Sequence, residues 1–266
     1  MSRWNRKLFR WKRRERITFT GDYGSWEEAM KDARGYESPV ILERACAALL
    51  KVKNGEAVCE RDSVLFDAPQ YSFPLLAGLC RAALSVGGRL SVADFGGSLG
   101  TSYFQCRPWL RHLSRLEWLV IEQPAHAACG RRSFEDRELR FYETMEDCLQ
   151  QHQPNLLLIS AVLQYLPDPG SVLQRLLRHG LDHFIIDRTA FLEADRERLT
   201  VQTVPESIYP ASYPAWFFSE TKFKAAVEAE GYELFAEFPG ADEATLPGDK
   251  AFFKGFIYQR KGLHER

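Results

Sequence analysis

From residue 89 to the C-terminal region, short apolar runs alternate with stretches whose apolar positions recur every three to four residues. That alternation is the signature of βα units arranged around a mostly parallel sheet. The runs predict strands over 90–95, 117–122, 139–142, 155–160, 183–187, 232–238 and 251–259. The intervening helices are expected over 102–112, 125–133, 144–151, 171–178 and 220–230. Ser219 is placed as the N-cap of the last helix and Gly231 just beyond its final turn. The expected fold is therefore α/β, a Rossmann-like doubly wound sheet of seven strands, mostly parallel and with the last strand antiparallel.

Upstream of residue 88 the pattern is different. Ser25-Trp26-Glu27-Glu28 has capping-box spacing, Ser38-Pro39 suits an N-cap and first turn, and Gly55 and Gly87 are placed to end helices. A further helix is expected over 73–86. Three divisions follow: a basic segment over 1–20, a helical N-terminal cap over 21–87, and the main domain over 88–266.

Charge adds one feature that the hydrophobic pattern lacks. The formal net charge of the 266 residues is −1, yet residues 1–16 carry eight basic side chains against Glu15 alone. The rest of the chain then holds 27 basic and 35 acidic groups, which argues against a nucleic-acid-binding surface on the main body. On a helix Trp4, Leu8 and Trp11 would form a narrow apolar stripe among the Arg and Lys side chains, suited to an anionic membrane surface. A solvated basic tail is the alternative, and flotation with anionic vesicles with and without residues 1–16 separates the two.

No apolar run approaches the ~20 residues that cross a bilayer. The first thirty residues lack the apolar centre of a secretory signal, so the expected location is the cytoplasm, with the inner face of the membrane as the place for any peripheral contact. The six cysteines form no CxxC pair and suggest neither a disulfide framework nor a metal site.

Candidate chemistry begins where the first strand of the main domain ends. Asp94-Phe95-Gly96-Gly97-Ser98-Leu99-Gly100 gives a tight turn that a ligand can approach without meeting Cβ atoms. The dinucleotide fingerprint GxGxxG fails, because counting from Gly96 its third and sixth positions are Ser98 and Thr101. Asp94 would also repel a pyrophosphate, whereas it suits a ligand carrying ammonium and sulfonium charges, a description that matches S-adenosylmethionine. Glu122, where the second apolar run stops, can accept both hydroxyl protons of a ribose.

These segments resemble the class I S-adenosylmethionine-dependent methyltransferases over about residues 86–260. VADFGGSLG is similar to their first motif, with Ser98 at a position where the family has glycine. VIEQP at 120–124 is similar to their second motif, and LLLISAVLQYLPDP at 156–169 to their fourth-strand segment. More narrowly, GDYGSWEEA, DFGGSLGTSYFQ and FIIDRTAF resemble an uncharacterised bacterial family associated with surface-polysaccharide gene clusters. The resemblance implies a saccharide or sugar-nucleotide acceptor. It assigns Asp94, Gly96, Gly97, Ser98 and Gly100 to the methionine end of the cofactor and Glu122 to the ribose. Glu143 is assigned to the adenine amino group, with Glu146 and Asp147 as competitors, and Ser160 and Ala161 offer backbone contacts.

On the acceptor side, Asp187 and Arg188 end the fifth strand, Asp187 as candidate base and Arg188 as a substrate contact alongside Tyr165. The connection over 189–218 has Tyr209, Tyr213 and Trp216 among three prolines, and reads either as a lid over an acceptor or as core-filling aromatics. Two functions follow: a methyltransferase acting on a small hydroxylated acceptor, or a non-catalytic module of the same fold serving as a membrane-proximal partner in envelope polysaccharide assembly.

Overall fold

Seven strands carry runs of Val, Leu, Ile, Phe and Tyr that need cover on both faces, and that requirement builds the sheet. They are β4 (Arg89–Phe95), β5 (Arg115–Ile121), β6 (Leu139–Tyr142), β7 (Leu156–Ser160), β8 (His183–Leu192), β11 (Tyr232–Pro239) and β12 (Ala251–Arg260). Their spatial order is β6-β5-β4-β7-β8-β12-β11, with β12 antiparallel to both of its neighbours. The expected strands are all present, and the antiparallel last strand with them. These assignments come from a computed structural model, which describes residues 17–33, 39–205, 211–240 and 242–263. The basic segment 1–16 and Tyr209 lie outside the described residues.

Helices cover the two faces. On one, α3 (Phe73–Ser85), α4 (Thr101–Leu110) and α5 (Pro124–Ser133) bury Leu79, Tyr103 and Ala127 against Val92, Trp118 and Leu158. On the other, α6 (Met145–Gln151), α7 (Pro169–Arg178) and α8 (Glu220–Ala229) bury Met145, Leu176 and Phe223 against Leu157 and Ile186. Ser219 caps α8 by accepting from the Lys222 N–H, as its position in the sequence implies.

Two expectations are corrected. The connection over 189–218 is no lid: β8 continues to Leu192, and β9 (Arg198–Val204) and β10 (Ala211–Ser219) add to the sheet. The signal that misled was the prolines, since Pro214 sits within β10 opposite Val201. The N-terminal region is also less helical than expected. Beside α1 (Trp26–Asp32) and α2 (Pro39–Lys53), it forms β1 (Thr18–Tyr23), which spans the expected division at residue 20 and pairs with β9. It also forms a hairpin of β2 (Cys59–Arg61) and β3 (Val64–Phe66). Arg198 ties β1 to the body, donating to the Gly21 carbonyl at 2.6 and 2.8 Å and to Asp249 at 2.7 Å.

Among the described residues no helix is long and apolar enough to cross a membrane. The strand order reverses between β4 and β7, because the chain leaves β4 for β5 and β6 and returns on the other side to β7. At such a switch point the loops leaving the two strands diverge and open a crevice beyond their carboxyl ends.

The face packing supplies a test. A Cβ built on Gly130 of α5 lands in the Phe141 ring of β6. Gly130→Ala should therefore cost about 1–3 kcal/mol, as overpacking does in a close-packed core. Urea unfolding measures it, and an unchanged midpoint would mean that α5 does not sit against β6 in this way.

Candidate functional site

The crevice at the switch point is floored by the loop that leaves β4. Gly96 turns with φ +71° and donates to the Ile121 carbonyl, and a Cβ there would meet Val162 at 2.5 Å. At Gly97 a Cβ would collide with the Asp94 carboxylate. Gly100, at φ +95°, starts α4. The glycines are thus required by the floor itself, and the second of them by the acid beneath it.

Asp94 is 1% exposed, directly under the loop. Its Oδ2 accepts from the Trp118 indole N–H at 2.8 Å, and its Oδ1 has no partner among the described residues. Burial pushes its carboxyl up to about 7, with the Trp118 hydrogen bond opposing and the charge of Glu122 adding to the rise. Glu122 follows β5, accepting from the Ser98 N–H at 3.2 Å and the Gln123 N–H at 2.8 Å. It fixes the loop from the side, and both of its oxygens keep a further lone pair.

Strain is concentrated at this end of the sheet. Ser98 (φ +54°), Ala161 (φ +56°) and Arg188 (φ +52°) are non-glycine residues in the left-handed region, just beyond β4, just beyond β7 and within β8 past Asp187. Such conformations persist where the surroundings over-determine them, and they cluster at functional sites. Gly96, Gly97, Ser98, Ser160, Ala161 and Arg188 line one cavity of about 120 Å3, with Asp94 in its wall.

The roof comes from residues that the sequence did not single out. Ile41 and Ala45 of α2 and the hairpin residues Glu60, Arg61, Asp62 and Ser63 close the cavity, and His126 of α5 faces it with a buried Nδ1 that has no partner. Asp62 and Ser63, at φ +52° and +67°, form the two-residue turn of the hairpin. Glu60 is 4% exposed and anchors the hairpin to α4 through the Thr101 hydroxyl, while accepting from the Ser63 N–H at 3.1 Å. Burial raises its carboxyl above the usual range, against the lowering effect of those two hydrogen bonds. Nothing in the run CERDS marks these side chains: in sequence they read as an exposed charged turn.

Arg188 closes the rim. Its guanidinium donates to Asp242 at 2.7 and 3.2 Å and to Asp62 at 2.8 Å. Burial works against its charge, but the two carboxylates outweigh that and hold it protonated. Asp187, the candidate base, is turned to the backbone: its carboxylate accepts the Arg188 N–H at 2.8 Å and is 4% exposed. Asp187 does not reach the cavity wall.

Other expected residues stay away from the cavity. Glu143 follows β6 and is held by Arg131 at 2.5 Å, in a separate surface groove that also contains Asp147. Glu146 faces His179 at 3.9 Å. Tyr213 is buried, and its hydroxyl accepts from Gln202, which in turn accepts from the Tyr165 hydroxyl at 2.9 Å. Trp216 donates to the Leu166 carbonyl at 3.2 Å. These aromatics pack between β9, β10 and the turn after β7, the core-filling alternative for them.

No protein-family model matches the chain, and no curated protein does. Solved structures give a looser likeness. Human N-acetylserotonin methyltransferase, solved with S-adenosylmethionine, overlays 70% of this chain at 14% identity and a TM-score of 0.47. The chain spans 51% of that protein's length. An S-adenosylmethionine-dependent methyltransferase from Clostridium acetobutylicum overlays 73% of this chain and 93% of its own at 9% identity, with a TM-score of 0.47. The N-terminal domain of EvdMO1, solved with S-adenosylhomocysteine and D-fucose, overlays 76% and 88% at 14% identity and a TM-score of 0.47.

The buried acid yields a prediction with a definite sign. Between the ordinary aspartate value of 3.8 and about 7, the folded chain keeps a proton on Asp94 that the unfolded chain has lost. Its contribution to stability is thus complete at low pH and is lost as pH rises toward 7. Asp94→Asn keeps the shape without the charge, so the stability of the variant relative to wild type should grow from pH 5 to pH 8. Urea unfolding without ligand reads the difference, and a pH-independent one would refute the assignment.

Proposed function

We propose that the chain binds S-adenosylmethionine at the β4–β7 switch point and transfers its methyl group to a small hydroxylated acceptor, a saccharide or sugar nucleotide. The observation that carries this is the Asp94 carboxylate: 1% exposed, part of the cavity wall, and left with an unpaired Oδ1 under a glycine floor. A buried acceptor without a donor favours a cationic ligand and disfavours a pyrophosphate, so the charge of the site supports a sulfonium nucleoside over a dinucleotide.

The residues present suit the parts of that cofactor. Gly96 and Gly97 leave space for close backbone approach, Asp94 and the Ser160–Ala161 end of β7 adjoin the methionine moiety, and Glu122 has lone pairs free for ribose hydroxyls. When bound, the cofactor supplies an activated methyl carbon. The chain's contribution is then to align the acceptor and exclude water, an effect that can lower a barrier by several kcal/mol. With the hairpin in place the cavity of about 120 Å3 falls below the ~300 Å3 typical of small-molecule pockets. This cavity is therefore only a part of the proposed cofactor site, and Glu122 lies outside its lining.

Calorimetry with S-adenosylhomocysteine and with NAD tests the reading. Wild type should bind the former and not the latter. Asp94→Ala and Glu122→Ala, checked for folding, should each weaken that binding by about tenfold or more, as the loss of a charged hydrogen-bonding partner does. No binding by wild type would remove the cofactor from the reading. Binding without methyl transfer to any saccharide tried would favour the non-catalytic module.

A further inference from the structure

Resting on that reading, we propose that Glu60, carried by the N-terminal hairpin, is the anchor for the α-ammonium group of the cofactor's methionine moiety, so that the roof is part of the binding site. Glu60 reaches the cavity from β2 and is 4% exposed. Its two oxygens take the Thr101 hydroxyl at the start of α4 and the Ser63 N–H. A carboxylate offers about four acceptor positions, so both oxygens still have room for a donor. An ammonium brings three donors and the charge that a buried carboxylate lacks.

The charges facing Glu60 decide which end of a ligand it meets. From its own hairpin come Arg61 and Asp62, from β8 Arg188, from under the loop Asp94, and from α5 His126. Arg188 is already matched, by Asp62 and Asp242 together. Among the described residues no cationic side chain is bonded to Glu60 or Asp94, and Asp94, whose buried Oδ1 has no partner among them, lines the same cavity. Two buried acids lining one small cavity favour a ligand with positive charge, and the aminoacyl end of a sulfonium nucleoside supplies an ammonium beside the sulfonium. Glu122, which takes the Ser98 N–H and lies outside the lining of this cavity, is the ribose residue in that reading, which leaves Glu60 for the amino acid.

The test compares S-adenosylhomocysteine with 5′-methylthioadenosine, a thioether nucleoside that has no amino-acid moiety. Glu60→Gln should lower affinity for S-adenosylhomocysteine by about 10- to 100-fold, the range for loss of a charge-assisted hydrogen bond. Its affinity for 5′-methylthioadenosine should stay at the wild-type level, which a variant that merely loosened the hairpin would not achieve. Glu60→Asp keeps the charge on a shorter arm and should show the same selective loss on a smaller scale, which covers the case in which the amide variant fails to fold. Equal loss for both ligands, or no loss for either in both variants, overturns the role of Glu60. Failure of wild type to bind either ligand overturns the cofactor reading instead, so the two failures are distinguishable.

Discussion

A carboxylate buried beneath a turn of backbone is costly unless something answers its charge, and the Asp94 side chain sets that constraint for this end of the molecule. One of its oxygens is held by the Trp118 indole, itself fully buried on β5, and the other has no partner. The acid fixes what can lie above it: Gly97 is the residue on top, and any Cβ there would occupy the carboxylate. Glu122 then pins the loop from the next strand through Ser98, which accepts a left-handed conformation to make the contact. Strand, loop and neighbouring strand are thus joined by two acids, one below the loop and one beside it.

The hairpin and α2 complete what the sheet begins. A Rossmann-like sheet leaves its switch point open to solvent, and in water the charges of Asp94 and a ligand would attract each other only weakly. Closing the cavity with Glu60, Asp62 and Ile41 lowers the local dielectric and strengthens each remaining electrostatic contact. Arg188 makes that closure specific. It reaches Asp62 on the hairpin and Asp242 between β11 and β12, so two segments distant in sequence converge on one guanidinium. The left-handed backbone of Arg188 is the conformational cost of that convergence.

The central sheet was legible in the sequence because its signal is local and repeated. Runs such as Trp118-Leu119-Val120-Ile121 are apolar on both faces and have only one comfortable environment. The loop over 94–100 was legible for a similar reason, since its glycines and its acid lie within seven residues. The roof was not. Glu60 matters because a hairpin brings it to Thr101, 41 residues further on, and nothing near Glu60 encodes that meeting. Arg188 and Asp62 are 126 residues apart, and nothing in the sequence near either one links them. The aromatics after residue 189 were ambiguous on principle, because the same rings can stack on a sugar or fill a core, and here the pairing of β9 with β10 decided for the core.

The same division explains why the charge balance of the site could not be read from net charge. The chain as a whole is close to neutral, and by count Arg61 and Arg188 in the cavity lining balance Asp62 and Glu60. Geometry separates them: Arg188 is committed to Asp62 and to Asp242, a residue outside the cavity wall, so its charge is spent on closing the rim. Of the acids that remain, Glu60 lines the cavity from the hairpin and Asp94 from under the loop, each bonded only to neutral donors among the described residues, and Arg61 is the remaining guanidinium in that lining. Burial raises the carboxyls of both, and a positive charge beside either opposes that shift. The lining therefore favours a positively charged ligand by its charge, before any contact to an adenine or an acceptor is made.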